Sequence, residues 1–397
     1  MMKRRILFVI DSLHIGGAEK SLVTLLNLID FSKYDVDLQL LDRSGGFIEY
    51  LSEQINILPE LNLQTQLKAS LLRSLLSPRI FLARCRYSVF LRTKHLSNID
   101  KSVLYWKCFN TFIGKSDIYY DVAVAYAQGV PSLYVVDKVN AGKKICWING
   151  MVTLKNKHLS YLSGYYRQID RIVCVSDSVK NYVANNLFPK LKDKLRVIWD
   201  IIDPVLIRTM GKMPCDVAFD HAGIPVIMTV GRLTSVKGYD IAVEAAYILK
   251  EKNINFKWYV IGEGPEKQNI LKLVGKRNLY NQFILLGEKI NPYPYIAECD
   301  IYVQPSRREG FGLTIAEARI LGKPIVCTRF EGHRRQIRDG VNGLTATLDP
   351  ADIAIQIERL IKDTDLYAGI KNYLQSVEIG NKEELIRFYQ LLEEDET

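Results

Sequence analysis

No apolar run in this chain reaches the ~18 to 20 residues that span a bilayer, and cysteine and histidine are too few and too scattered to frame the fold. The seven cysteines among 397 residues include no Cys-x-x-Cys pair, and the five histidines form no cluster. A disulfide scaffold and a zinc module are therefore excluded by pattern. Cys174 in "RIVCVS" and Cys327 in "PIVCT" lie in strand-like runs and read as reduced, buried thiols. The opening "MMKRRILFVI" has basic and apolar parts, but Asp11 interrupts it and no small-residue cleavage site follows. It reads as a first strand, and the expected location is the cytoplasm. The Asp35–Asp37 pair in "YDVDLQLL" sits in another strand and reads as structural rather than metal-binding.

Acid is scarce in one place. Between Leu61 and Lys115 there are ten Lys or Arg (Lys68, Arg73, Arg79, Arg84, Arg86, Arg92, Lys94, Lys101, Lys107 and Lys115) against the single acid Asp100. Ten minus one is nine, the whole net charge of +9. Ser77-Pro78 reads as an N-cap and first helical residue dividing this segment into two helices. Leu72, Leu75 and Leu76 form one face of the first, as in an ordinary core helix. The anionic partners open to such a segment are a membrane surface, a lipid-linked pyrophosphate or nucleic acid. No nucleic-acid motif accompanies it, so nucleic acid is not the expected partner.

At 48% apolar content the chain can bury two cores. Short apolar strands alternate with helical patterns throughout: "RILFVI", "VDLQLL", "DVAVAYA", "KKICWI" and "RIVCVS" first, then "PVIMTV", "KWYVIG", "FILLG", "DIYVQPS" and "KPIVCT". That alternation predicts α/β architecture with two doubly wound, Rossmann-like domains. The join falls near "VIWDIIDPV", where Pro204 is expected to break a helix. Boundaries follow at 1–200, 201–380 and a terminal amphipathic helix within 381–397 that packs back toward the first domain.

The most informative stretch is "SRREGFGLTIAEARILGKPIV", Ser306 to Val326. It follows a strand end, where open parallel sheets bind ligands. Gly310 and Gly312 permit close backbone approach, and a helix starting near Gly312 aims its free amides at an anion. Glu309 stands just before that pole and Glu317 more than a turn into the helix. Taken singly, Glu309 reads as a cap and Glu317 as solvated surface. Arg232 and Lys237 in "GRLTSVKG" occupy a second strand end and suit a diphosphate. Gly262 and Gly264 in "VIGEGPE" mark a third. The three together describe a nucleotide-diphosphate site with carboxylates for hydroxyl groups.

On these residues, with "DGVNGL" at Asp339–Leu344 and "GGAE" at Gly16–Glu19, the chain resembles the retaining family-4 glycosyltransferases of the GT-B fold. The resemblance is strong in the second half and loose between about 45 and 140. It implies two domains facing a central cleft and transfer of a hexose from a nucleotide-diphosphate sugar, with UDP the expected carrier. The acceptor it implies is a glycan, lipid-linked, in surface polysaccharide synthesis. It assigns the diphosphate to Arg232 and Lys237, and the transferred sugar to Glu309 with the amides of Phe311 and Gly312, while Gly310 and Leu313 belong to the donor site. Glu317 receives the ribose, Gly262 and Gly264 line the donor site, and Gly16 and Gly17 approach the diphosphate and acceptor from the first domain. No cofactor and no metal are expected. The same resemblance favours an anionic membrane surface as partner of 61–115, and hence a peripheral position at the inner face of the cell membrane.

One position departs from the pattern. Many relatives carry a histidine after the aromatic strand, whereas "KKICWINGMV" places Asn149 there. Asn149 keeps a carbonyl and a hydrogen-bonding amide but cannot exchange a proton near neutral pH. A variant suited to another sugar, a weakened enzyme and an engineered change remain open. So does a donor-binding protein without turnover. A dinucleotide-dependent oxidoreductase is the rival enzyme class, although "HIGGAE" is not Gly-x-Gly-x-x-Gly.

Overall fold

The computed structural model describes residues 3–14, 16–61, 77–92, 96–151, 156–219 and 223–394. Two compact units divide the chain: Met1–Ile201 with Lys382–Thr397, and Ile202–Asn381.

The first unit is built on a parallel sheet of seven strands among the described residues, in the order β3-β2-β1-β4-β5-β6-β7. The strands are β1 (Arg4–Ile10), β2 (Tyr34–Leu40), β3 (Asn56–Ile57), β4 (Tyr119–Ala125), β5 (Asn140–Ile148), β6 (Arg171–Cys174) and β7 (Leu195–Val197). Their central residues are buried on both faces, as the near-continuous apolar runs require. Asp37, like Gln39, is a buried polar residue of β2. It accepts from Arg5, Asn56 and Tyr120 at 2.7–3.0 Å, which satisfies a buried carboxylate and bears out its structural reading.

The terminal helix Lys382–Glu393 belongs to this unit. Its Phe388 is fully buried, with ring centroids 6.1 Å from both Phe8 and Trp147. Beyond it, Lys143 donates to the Leu391 and Glu394 carbonyls, while Arg171 and Arg196 hold the Glu394 carboxylate. Three cations thus gather at a helix C-terminus, where the macrodipole favours them.

The second unit repeats the plan with six parallel strands among the described residues, ordered β10-β9-β8-β11-β12-β13. These are β8 (Val226–Val230), β9 (Lys257–Ile261), β10 (Phe283–Gly287), β11 (Ile301–Gln304), β12 (Ile325–Thr328) and β13 (Leu344–Ala346). Pro204 does not break a helix. It opens the helix Pro204–Gly211, where its missing N–H costs nothing and Asp203 caps the amides of Val205 and Leu206.

Cys174 and Cys327 are buried free thiols, and burial pushes both up to about 12. No helix of the described residues is long and apolar enough to cross a membrane. Of the basic segment, Lys68, Arg73, Lys94 and the leucine face at 72, 75 and 76 lie outside the described residues. The second of its expected helices is present as Pro78–Leu91, with Ser77 at the N-cap.

Candidate functional site

The carboxyl ends of β8, β9 and β11 bring three loops of the second unit together. The loop after β8 ends in the helix Tyr239–Glu251, and the loop after β11 in the helix Leu313–Ile320. Both helices begin at a glycine, Gly238 or Gly312, and neither has a side-chain cap. The contrast lies within the same unit: Asp203, Asp349 and Asp363 each cap the amides of a helix elsewhere. Two uncapped N-termini at one sheet edge leave N–H groups available to an anion. Gly312 also adopts a φ of +83°, a left-handed turn that opens to glycine most cheaply.

Lys237 and Glu309 meet at this edge. The Lys237 ammonium lies 2.8 Å from both carboxylate oxygens of Glu309. Glu309 is 8% exposed at its side chain, Lys237 24%. Behind the carboxylate runs a buried chain of neutral groups. Ser306 donates to Oε1 of Glu309 at 2.5 Å, and Gln304 donates to the same atom at 3.1 Å and to Ser306 at 2.8 Å. Tyr302 and Thr314 in turn donate to Gln304 Oε1. Glu309 is therefore not a helix cap. It is a nearly buried carboxylate whose position is set by four residues and whose charge is matched by one cation.

Arg232 lies on the Lys237 loop and is exposed. That loop is held from the other side by Arg307, which grips Asp240 in a two-pronged pair at 2.6 and 2.8 Å and the Ser235 carbonyl at 2.7 Å. Gly262 and Gly264 have a packing reason in addition to any ligand. A Cβ at Gly262 would stand 2.0 Å from the Gly231 carbonyl oxygen, and one at Gly264 would stand 2.4 Å from that of Leu233. The β9 loop lies directly against the Arg232 loop.

Glu317 is 1% exposed, so solvated surface is not its environment. Tyr293 donates to its Oε1 at 3.1 Å, and burial with the nearby Glu317 charge drives the Tyr293 phenol well above its ordinary range. Gly310, Phe311 and Leu313 are half-buried on the loop between the two glutamates. Two carbonyls of that loop, of Phe311 and Gly312, accept from Gln336 Nε2 at 2.9 and 3.2 Å. Gln336 itself is anchored through "DGVNGL": Asn342 donates to its carbonyl and accepts from the Arg338 amide.

Gly16, Gly17 and Asn149 belong to the first unit. Gly16 precedes the helix Gly17–Leu28 at the end of β1, again with no side-chain cap. Asn149 follows β5. Its amide nitrogen donates to the Tyr126 carbonyl at 2.8 Å, and its backbone N–H donates to Gln128 at 3.0 Å. Its Oδ1 is buried and has no hydrogen-bond partner among the described residues. Tyr126 stacks on Trp147 at 4.9 Å and shares a hydrogen bond with Ser21.

Sequence reasoning missed Gln304, Ser306, Tyr293 and Gln336. Only the "QPS" that ends β11 carried a signal, since polar residues closing an apolar strand ask for a partner.

The sequence model of the family described as Glycosyl transferases group 1 matches residues 221–377, nearly all of the second unit. The lipopolysaccharide core biosynthesis glycosyltransferase LpsE of Rhizobium meliloti is 29% identical over 203 residues, 51% of this chain and 57% of that protein. A second relative, an uncharacterized glycosyltransferase of Methanocaldococcus jannaschii, is 32% identical over 200 residues and is spanned for 51% of its length. The chain thus spans about half the length of these two curated relatives. A Campylobacter jejuni protein is matched over 91% of this chain and 92% of its own, at 27% identity. It is an N-acetylgalactosamine-N,N'-diacetylbacillosaminyl-diphospho-undecaprenol 4-alpha-N-acetylgalactosaminyltransferase. Among solved structures, Anabaena HepE in complex with UDP and glucose aligns at a TM-score of 0.68 with 17% identity, covering 98% of this chain and 99% of that one. TarM aligns at 0.67 with 14% identity and covers 99% of each. The fold is GT-B, and the second unit matches the family described as Glycosyl transferases group 1.

Proposed function

We propose that this chain transfers a hexose from a UDP-linked donor to a glycan acceptor, with retention at the anomeric carbon and without a metal ion. The observation that carries the reading is the Lys237–Glu309 pair beside two uncapped helix N-termini. A diphosphate seated there would draw Lys237, with Arg232 as a second cation, and would receive the N–H groups of Leu313–Ile320. Fixed donors aimed at charge that grows on the leaving diphosphate stabilise the transition state without reorganising. Glu309, released from Lys237, would accept from hydroxyls of the transferred sugar. Glu317 would take the ribose. The departing phosphate oxygen is the group assigned to accept the acceptor's proton. UDP fits because HepE was solved with it, and surface glycan synthesis fits because LpsE acts in lipopolysaccharide core synthesis.

The first unit is assigned the acceptor, through Gly16, Gly17 and Asn149. A lipid-linked acceptor accords with the diphospho-undecaprenol named for the Campylobacter relative. An anionic membrane surface is the matching partner, met by the helix Pro78–Leu91. Arg79, Leu82, Arg86 and Val89 share one exposed face of it, with Leu82 66% and Val89 61% exposed.

The first experiment is a thermal-shift panel of nucleoside diphosphates and nucleotide sugars, with NADH included. UDP and one UDP-sugar are expected to raise Tm selectively, since a ligand at 100 times its Kd adds about 2.7 kcal/mol to stability. Stabilisation by NADH alone would replace the transferase reading with the oxidoreductase one. Stabilisation by donors with no turnover, in the presence or absence of EDTA, would leave a binding protein.

A further inference from the structure

We infer that Gln336 is a positioning residue for the loop that holds the transferred sugar. The inference rests on the donor reading above and extends it to a side chain that touches no substrate.

The geometry is closed on all sides. Gln336 is 4% exposed, on the turn after the short helical segment His333–Arg335. Nε2 donates to the carbonyls of Phe311 and Gly312 at 2.9 and 3.2 Å, and Oε1 accepts from Arg319 Nη1 at 3.2 Å. The orientation of the amide follows from these partners. Reversed, it would set an acceptor against two carbonyls and a donor against a guanidinium, losing three hydrogen bonds.

The two carbonyls matter because of what shares their peptide planes. The Phe311 carbonyl belongs to the same peptide as the Gly312 N–H, and the Gly312 carbonyl to the same peptide as the Leu313 N–H. Fixing each oxygen fixes the direction of the N–H on the far side of a rigid plane. These are the amides assigned to the sugar and to the leaving phosphate. The Gly312 carbonyl also begins the helix, accepting from Ile315 at 3.0 Å and Ala316 at 3.2 Å. One buried amide thereby sets the direction of the Gly312 N–H and reinforces that of Leu313 at a glycine-rich turn.

Glutamate at this position separates the two sides of the amide. Gln336→Glu keeps, and charges, the bond to Arg319, but it cannot donate to either carbonyl. Gln336→Met keeps the volume and removes both sets of bonds. Gln336→Glu is expected to unfold within a few degrees of the parent protein, bind UDP within about threefold, and turn over the nucleotide sugar about ten- to a hundredfold more slowly. Hydrogen exchange of the unliganded protein is expected to quicken at Ile315 and Ala316 in both variants. Unchanged turnover and exchange in Gln336→Glu would overturn the inference. So would a fall in Tm, UDP affinity and turnover together, which marks a merely structural side chain. If the parent protein turns over no nucleotide sugar, the transferase reading falls on that control, and the exchange rates alone decide whether Gln336 holds the loop.

Discussion

The two units share an architecture and use charge in opposite ways. At the strand ends of the second unit, Lys237 and Glu309 are drawn inward and backed by Gln304, Ser306 and Tyr302, while Glu317 is buried against Tyr293. In the first unit the excess charge faces out: Arg79, Arg86 and Arg92 are exposed on or beside a helix whose Leu82 and Val89 are exposed too. At its corresponding strand ends Tyr126 stacks on Trp147 and Asn149 bonds to the Tyr126 carbonyl, while desolvation pushes the carboxyls of Asp11 and Asp200 up to about 7. Buried, individually matched charges read a small rigid ligand, because each atom of the ligand meets a fixed partner. Exposed charges among apolar side chains suit a broad, fluid surface, where the sum of weak attractions counts. On the proposed reading, the same doubly wound sheet serves as a lock on one unit and a landing face on the other.

The sharpest way to break that contrast is Glu309→Gln. The change is nearly isosteric, so Ser306 and Gln304 can retain contacts, but the charge facing Lys237 is lost. Turnover is expected to slow by about two orders of magnitude or more, in the range for losing a preorganised electrostatic partner. UDP affinity should hold or improve, because Lys237 no longer has to leave a carboxylate to meet a phosphate. Steady-state kinetics alongside calorimetry with UDP will show both. Turnover within about threefold of the parent would reduce Glu309 to a structural anchor for the loop.

The contrast also explains what could be read in advance. The candidate site was legible because its chemistry is local: Glu309, Gly310 and Gly312 fall between one strand and its helix, and the expected helix start at Gly312 is where the helix Leu313–Ile320 begins. The fold was legible for a related reason, since apolar runs buried on both faces mark parallel strands by themselves. What escaped is long-range. Tyr293 meets Glu317 across 24 residues and Gln336 meets Phe311 across 25, and no spacing announces either. Gln304 closes an otherwise apolar strand, which asks for a partner without naming it. Gly262 was read through its freedom to admit a ligand, whereas the Gly231 carbonyl already demands it. Asn149 could be located, but its use of the amide on the Tyr126 carbonyl depends on a neighbouring strand.

On the first unit the matching test is electrostatic. Replacing Arg79 and Arg86 together by glutamine removes two charges from the exposed face while sparing Leu82 and Val89. Each basic residue near an anionic bilayer contributes about 1 kcal/mol, so partitioning to vesicles rich in phosphatidylglycerol should weaken roughly 30-fold. Binding to neutral phosphatidylcholine vesicles should not change, and added salt should narrow the difference. Co-sedimentation at two salt concentrations measures this. Equal partitioning of the double variant and the parent would return the helix to ordinary solvated surface.

The smallest effect should come from a charge pair of the second unit that is not buried. Arg307 and Asp240 keep 37% and 55% of their side chains exposed, so water screens most of their attraction and Asp240→Asn should cost less than about 1 kcal/mol despite the two-pronged geometry. Its pH dependence has a definite sign. The Arg307 hydrogen bonds hold the Asp240 carboxyl below the usual carboxylate range. A depressed folded value means that the unfolded chain takes up its proton first as acid is added. The pair's contribution is therefore complete above the ordinary value of about 3.9 and disappears as pH falls through the lower, folded one. Denaturant melts of the parent and Asp240→Asn should differ at pH 7 and converge in acid. A gap that persists at low pH would show that Asp240 acts through the loop's packing, and the rule that this unit's exposed pairs count for little while its buried ones decide function would need another explanation.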